Sequence, residues 1–395
     1  MANEDILAVV SISSHRVAVT VGDARDESVV AHKQVECRWF DLGHRARLEA
    51  LADCIRLAED SAGIELRSIF LSRSCASIGS RMSTGYASLG QEMVLGPAEK
   101  AWAMRRAREQ ATGIATEVVM ALPVGWRVRG HDGERDVEDP EGLRGSHLSC
   151  QVLLVTAQPG YVDEMRALGR ELGKEVEDVI PQPVALWRGI GSRLQRRGNS
   201  LVIDLGARHT TVLVQRRDRF AHLETRGFGG DDLTKALAEA MDIPAEDAEQ
   251  LKRQADIGIN ASDLPGQQTL FAELAQDRVR RASHVLSVEV DRVFGQLADD
   301  LRAGGWLAQQ GCLHLVGRAT ALGGLPRRLG DIFDLPVRLG SGADDRDPAA
   351  ELDGLIVAGL VRAAADCRRN AIAAEGPSLT RTASGLWSWL MHRYR

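Results

Sequence analysis

The chain has 395 residues, 44% of them hydrophobic, 26% charged and 4% aromatic, an ordinary globular mixture with enough length for two or three domain cores. A net charge of -6 spread over that length lacks the concentrated basic excess a nucleic-acid binder needs. Six scattered cysteines without a CxxC pair suggest neither a disulfide framework nor zinc, and no run of about 18 apolar residues offers a membrane span.

The opening MANEDILAVV is acidic and then strand-like, unlike a signal peptide. Residues 6–22 (ILAVVSISSHRVAVTVG) predict two Val-rich strands joined by a polar turn. Apolar residues at helical spacing predict a helix over 45–62, and SIFLS at 68–72 predicts a strand. From Ser77 to Met165 the text changes to a helix (98–113), a strand (117–123), a turn-rich segment (130–145) and a strand (147–157), a small α+β insert. A helix over 162–173 follows, closed by Gly173.

The second half opens with the strand 200–206, the turn ARHT, a second strand, a charged tip and a third strand at 220–228. Gly229-Gly230 then precede a helix, residues 244–300 are mostly helical, and HLVG (314–317) is a strand ending in a turn. The hairpins of 6–22 and 200–228 look alike, a weak internal duplication. Residues 366–384 are polar with Gly and Pro and predict a linker.

Several turns suit a phosphate ligand. In VIDLGARHTTVLV, Asp204 at a strand end would hold Mg2+ through water, Gly206 lets the backbone approach closely, and Thr210 supplies a hydroxyl. Gly229 and Gly230 before a helix N-terminus suit close approach to an anion. Glu249 and Lys252 share one helical face and can grip ribose and adenine, and Gly317 can floor an adenosine pocket. Each pattern alone also fits an ordinary capped turn or, for Glu249 and Lys252, a solvated surface ion pair. Their order is that of the actin, chaperone and sugar-kinase ATPases.

ALPVGWRVRGHDG (121–133), DPEGLRGSHLSCQVLLVTA (139–157), VIDLG, GFGGDDLTKALAEAM and AEQLK resemble the FtsA family of cell-division proteins, and the resemblance runs from Ile6 to Arg395. It implies an α/β fold of the actin/chaperone ATPase type, with two related mixed-sheet halves and an inserted α+β subdomain, 1C, of the SHS2-like kind. The implied division is 1A from 1–76, 166–199 and 331–366, 1C from 77–165, 2A and 2B from 200–330 with 2B about 231–300, a linker at 367–383 and an amphipathic helix at 384–395. The family's first phosphate turn, Asp-Ile-Gly-Thr-Ser-Lys, is here Ser11, Ile12, Ser13, Ser14, His15 and Arg16. The carboxylate and the glycine are gone. The second turn has Ala207, Arg208 and His209 where Gly-Gly-Thr is usual, and the late turn has Gly317-Arg318 for Gly-Gly. Ser13, Ser14 and Arg16 are the first-turn ligands the resemblance implies, with Arg16 and Arg208 able to pair with phosphate. Gln182 stands where such ATPases orient the attacking water. A degenerate site that binds ATP with Mg2+ and hydrolyses it poorly is the expectation.

SGLWSWLMHRYR (384–395) places Leu386, Trp387, Leu390, Met391 and Tyr394 on one stripe, with Trp389 adjacent and Arg393 and Arg395 supplying charge. Trp, Tyr and cations suit an anionic lipid interface, so peripheral attachment to the cytoplasmic face of the inner membrane is expected. The resemblance further implies tethering of FtsZ filaments through the FtsZ C-terminal peptide, with Arg292 as a docking cation. It also implies actin-like self-association and recruitment of later division proteins through 1C. A pilus-assembly protein of the PilM type shares the fold and stays open as an alternative. A sugar kinase is disfavoured by Ser11, and a chaperone by the lack of a substrate-binding β-domain after residue 370.

Overall fold

The structure is a computed structural model and describes residues 5–110, 115–194, 198–217, 219–258, 270–340 and 348–375. The first elements are β1 (Ile6–Ile12), β2 (Arg16–Asp23), β3 (Val29–Glu36), α1 (His44–Ala62), β4 (Ser68–Arg73), β5 (Gly79–Val94), α2 (Pro97–Gln110), β6 (Glu117–Gly130), β7 (Gly133–Val137) and β8 (Arg144–Ala157). After these come α3 (Tyr161–Glu171), β9 (Glu175–Pro181), α4 (Gln182–Leu194), β10 (Ser200–Leu205), β11 (Thr210–Arg216) and β12 (Arg219–Arg226). The last are α5 (Gly230–Met241), α6 (Ala245–Gln254), α7 (Leu270–Ala303), β13 (Leu313–Val316), α8 (Leu325–Phe333), β14 (Val337–Leu339) and α9 (Pro348–Glu375). The chain divides into two compact units, one of residues 5–81, 115–120 and 155–363, the other built mainly from 82–110 and 121–154.

The first unit contains one arrangement twice. A five-stranded sheet is ordered β3-β2-β1-β4-β9, with β1 antiparallel to β2 and parallel to β4, and β4 parallel to β9. The second run is ordered β12-β11-β10-β13-β14, with β10 antiparallel to β11 and parallel to β13, and β13 parallel to β14. The two hairpins that look alike in sequence therefore occupy equivalent positions. Ile6 to Val10 are buried without alternation, as a central strand covered on both faces requires. In the second half Leu201, Ile203 and Leu205 of β10 meet Leu233 and Leu237 of α5 and the α7 stripe Ala282, Leu286, Val290, Phe294 and Leu297. That stripe repeats at three and four residues, the period that puts side chains on one helix face.

α9 returns to the first half of this unit. A Cβ at Gly359 would lie 1.8 Å from the Ala185 carbonyl oxygen, and one at Gly189 2.0 Å from that of Leu355, so α4 and α9 touch backbone to backbone. The helix continues through residues 367–375, which corrects the linker reading there. Apolar residues upstream carry the helical period, and the Gly-Pro pair that signals a break comes only at 376–377. Residues 376–395, with the expected membrane helix, lie outside the described residues.

In the second unit the strand order is β5-β8-β6-β7. α2 lies on β5, where Ser83 Oγ donates to the Ala107 carbonyl at 2.8 Å and a Cβ at Gly85 would strike the Ala103 carbonyl. The sequence reading missed β5, whose burial is irregular, and placed a turn across β7, whose GERDV text is wholly polar.

Candidate functional site

The first turn is closed by its own serine. Ser13 N–H and Oγ both donate to the Arg16 carbonyl at 3.0 Å, and the Ser14 carbonyl accepts from Trp39 N–H at 3.0 Å. The second turn closes through Gly206 N–H to the His209 carbonyl at 3.0 Å, while Thr210 Oγ1 donates to the Phe228 carbonyl at 2.8 Å. The second turn then meets the start of α5. Gly230 N–H donates to the Gly206 carbonyl at 2.9 Å and Asp231 N–H to the Ala207 carbonyl at 2.8 Å. A Cβ at Gly229 would lie 2.4 Å from the Ala207 oxygen. Glycine there permits the approach, but two N–H groups of the helix start are spent on the turn.

Gly317 follows β13 at φ 106, a region costly for side chains, and a Cβ there would be 2.3 Å from the Leu205 carbonyl and 2.7 Å from Asp204 Oδ1. The late turn therefore packs directly on the Asp204 carboxylate. Burial, then the nearby charge of Asp353, pushes the Asp204 carboxyl up to about 6, with Arg16 pulling the other way.

The Glu249–Lys252 pair is tightly organised. Lys252 Nζ lies 2.6 Å from Glu249 and donates to Thr234 Oγ1 at 2.7 Å and the Gly230 carbonyl at 2.8 Å; Thr234 Oγ1 donates to Glu249 at 2.7 Å. Burial would raise the Glu249 carboxyl, but the bonds from Lys252 and Thr234 outweigh it and hold it below the usual range. This pair is tied to the α5 start and is not a surface ion pair.

Carboxylates engage the arginines of the turns. Arg16 forks onto Asp353 of α9, with one nitrogen at 2.7 Å, and also donates to Gln34 at 3.0 Å. Arg318 reaches the same Asp353 at 3.3 Å and lies 3.9 Å from Glu36. Burial opposes ionisation of Asp353, yet Arg16 and Arg318 hold its carboxyl below the usual range. Arg208 pairs with Asp41 at 3.1 Å, lies 3.6 Å from Asp231 and stacks over Phe40 at 4.8 Å. His15 Nε2 stands 3.4 Å from Asp231.

The structure thus gathers Ser13, Ser14, Arg16, Asp204, Gly206, Thr210, Gly229, Gly230, Glu249, Lys252 and Gly317 around the two turns and the α5 start. It does not tie in two others. Gln182 opens α4 at the end of β9, and Arg292 is exposed on α7 with its charge engaged by Glu289 at 2.9 Å. Sequence reasoning missed Asp353, Asp231 and Asp41. Asp353 lies in the Ala-rich text PAAELDGLIVAG, where no local pattern marks a ligand.

The nucleotide and Mg2+ that such turns imply find a mixed set of residues. The Glu249–Lys252–Thr234 group is preformed for a sugar or base, whereas the phosphate side is filled by internal ion pairs. Of the carboxylates at the turns, Asp204 ends β10, with the charge of Asp353 close enough to act on it. Among the described residues no three His, Cys, Asp or Glu side chains cluster as a metal site.

A family model described as "Cell division protein FtsA" matches residues 201–358. FtsA of Agrobacterium fabrum is 25% identical over 362 residues, covering 85% of this chain and 81% of that protein. FtsA of Bacillus subtilis is 21% identical over 358 residues, covering 86% and 80%. The match to Streptococcus pneumoniae FtsA, 26% identical over 229 residues, covers 56% of this chain and 49% of that protein. Among solved structures, a chain of the "PilM-PilN type IV pilus biogenesis complex" superposes with a TM-score of 0.56 at 16% identity, over 91% of this chain and 98% of that one. At that identity the likeness is one of fold, and the fold is the actin-like ATPase one.

Proposed function

We propose, for a chain that is an FtsA-like cell-division protein, that it tethers FtsZ filaments to the cytoplasmic face of the cell membrane. The observation that supports this best is the likeness to FtsA proteins over about 85% of the chain, which takes in both halves of the body. Among the described residues no helix is long and apolar enough to cross a membrane, and the attachment proposed is peripheral. The tail helix over 384–395 would supply it, with Leu386, Trp387, Trp389, Leu390, Met391 and Tyr394 in the interface and Arg393 and Arg395 on anionic headgroups. Each such cation contributes about 1 kcal/mol, so one copy holds weakly and self-association in an actin-like array multiplies the grip.

In this reading the FtsZ C-terminal peptide docks on the helical region of about 231–300, where Arg292 would have to exchange Glu289 for the peptide's acid. The segment 77–165 would recruit later division proteins. ATP with Mg2+ is the proposed ligand of the cleft. Asp204 would hold the metal through water, Arg16 the phosphates, and Glu249, Lys252 and Gly317 the nucleoside. Mg2+ would neutralise phosphate charge, and Gln182, at the start of α4 and not tied to the turns, would have to reach the site to orient water. With Ser11 in place of a carboxylate, turnover would be slow.

Co-pelleting with anionic vesicles, with and without an FtsZ C-terminal peptide, tests the tether. The full chain should pellet and bring the peptide with it, and a chain lacking 379–395 should do neither. A full chain that ignores vesicles and peptide alike would leave only the fold shared with the pilus protein.

A further inference from the structure

The Arg16 guanidinium makes, with a carboxylate of its own chain, the two-pronged contact by which a guanidinium grips phosphate. Its side chain is mostly buried, and the Asp353 it holds also accepts from Arg318. Asp204, the proposed metal ligand, is close enough for its charge to be felt by Arg16. Asp353 therefore engages two cations of the turns at once, Arg16 of the first and Arg318 of the late one. Its helix is fixed by the backbone contacts of Gly189 and Gly359. A free anion and Asp353 cannot both take the same face of the Arg16 fork.

We propose that Asp353 is a built-in anion that competes with the phosphates of a nucleotide for Arg16 and Arg318. This rests on the reading that the cleft takes a nucleotide, and it adds the group that opposes entry. Binding then requires Asp353 to release Arg16. By linkage, whatever strengthens the Asp353 contact with Arg16 weakens nucleotide binding, and nucleotide weakens that contact equally.

The test is calorimetric titration of the full chain with ATP and Mg2+, alongside Asp353→Asn, Asp353→Glu and Arg318→Gln. Asp353→Asn should bind at least tenfold more tightly, because the amide cannot neutralise Arg16. Asp353→Glu, which keeps the charge, should stay within about threefold of the parent. Arg318→Gln removes a half-exposed side chain at little risk to folding and should weaken binding at least threefold. A melt without ligand gives a second reading. Asp353→Asn should melt lower than the parent, and ATP should raise its midpoint more than it raises the parent's. If the parent binds and Asp353→Asn binds no better, competition is wrong while the nucleotide reading stands. If Arg318→Gln binds like the parent, the shared cation is wrong and the proposal falls. If neither the parent nor Asp353→Asn binds, both readings fall together.

Discussion

At Asp204 a single carboxylate carries opposite demands. A metal needs it ionised, and burial beside Asp353 holds its protonated form to about pH 6, against an ordinary value of 3.8. A raised folded value means that stability is greatest where the group is protonated in both states, below about pH 4, and falls as pH rises through 6. Asp204→Asn mimics the protonated form. It should match the parent below pH 4 and exceed it by about 3 kcal/mol at pH 7 to 8, read from urea unfolding across that range. An advantage that persists at pH 4 would mean that the gain is not electrostatic. Gly229 meets a steric demand instead. Gly229→Ala forces a methyl carbon against the Ala207 carbonyl oxygen, 2.4 Å away, and neither the turn nor the start of α5 can yield cheaply. It should cost about 1–3 kcal/mol in the same assay. Legibility at this scale follows sequence distance. Glycines and the Asp204 strand end announce themselves locally, whereas the partner of Arg16 lies 337 residues away and no neighbour in sequence marks it.

Elements were legible where their pattern was periodic. The β10–β12 meander is Val-rich and bounded by turn residues, and α5 follows a Gly-Gly start, so both stand where the text puts them. The α7 stripe is equally plain, and it supports a prediction. Phe294 is fully buried and meets Phe228 edge-on with centroids 5.3 Å apart, so Phe294→Ala should cost about 3–5 kcal/mol by thermal or chemical unfolding. Val288 on the outer face is 54% exposed, and Val288→Ala should change stability by no more than about 0.5 kcal/mol. Equal costs at the two positions would mean that α7 does not bury the face described. β7 was illegible because hydrogen bonding to β6, in register from Trp126↔Val137 to Gly130↔Gly133, makes a strand of residues with no apolar alternation. α9 was truncated in the reading because composition near 366 turns polar before the helix stops; Arg369 pairs with Asp366 one turn back at 2.5 Å and keeps the polar stretch helical.

At the scale of the molecule the duplication was legible only at the two similar hairpins, because β1-β2 and β10-β11 carry the same strand–turn–strand text. The pairing of β4 with β9 and of β13 with β14 was not, since parallel neighbours join segments far apart in sequence. The two compact units differ in how much core they own. The second half of the first unit buries β10, β11, α5, α7 and α8 in one cluster. In the second unit α2 covers the sheet at Gly85, Ala103 and Ala107, and Met82, Tyr86, Val94 and Trp102 are exposed. A smaller body buries a smaller share of its surface and opens more readily. Native-state hydrogen exchange should therefore find the amides of 82–110 and 121–154 less protected than those of β10 and β11 by at least tenfold. Adding guanidinium below the main transition should speed exchange in the second unit first. Uniform protection across both units would show that they open as one cooperative body, and the insert would then have no separate stability on which a recruiting surface could be switched.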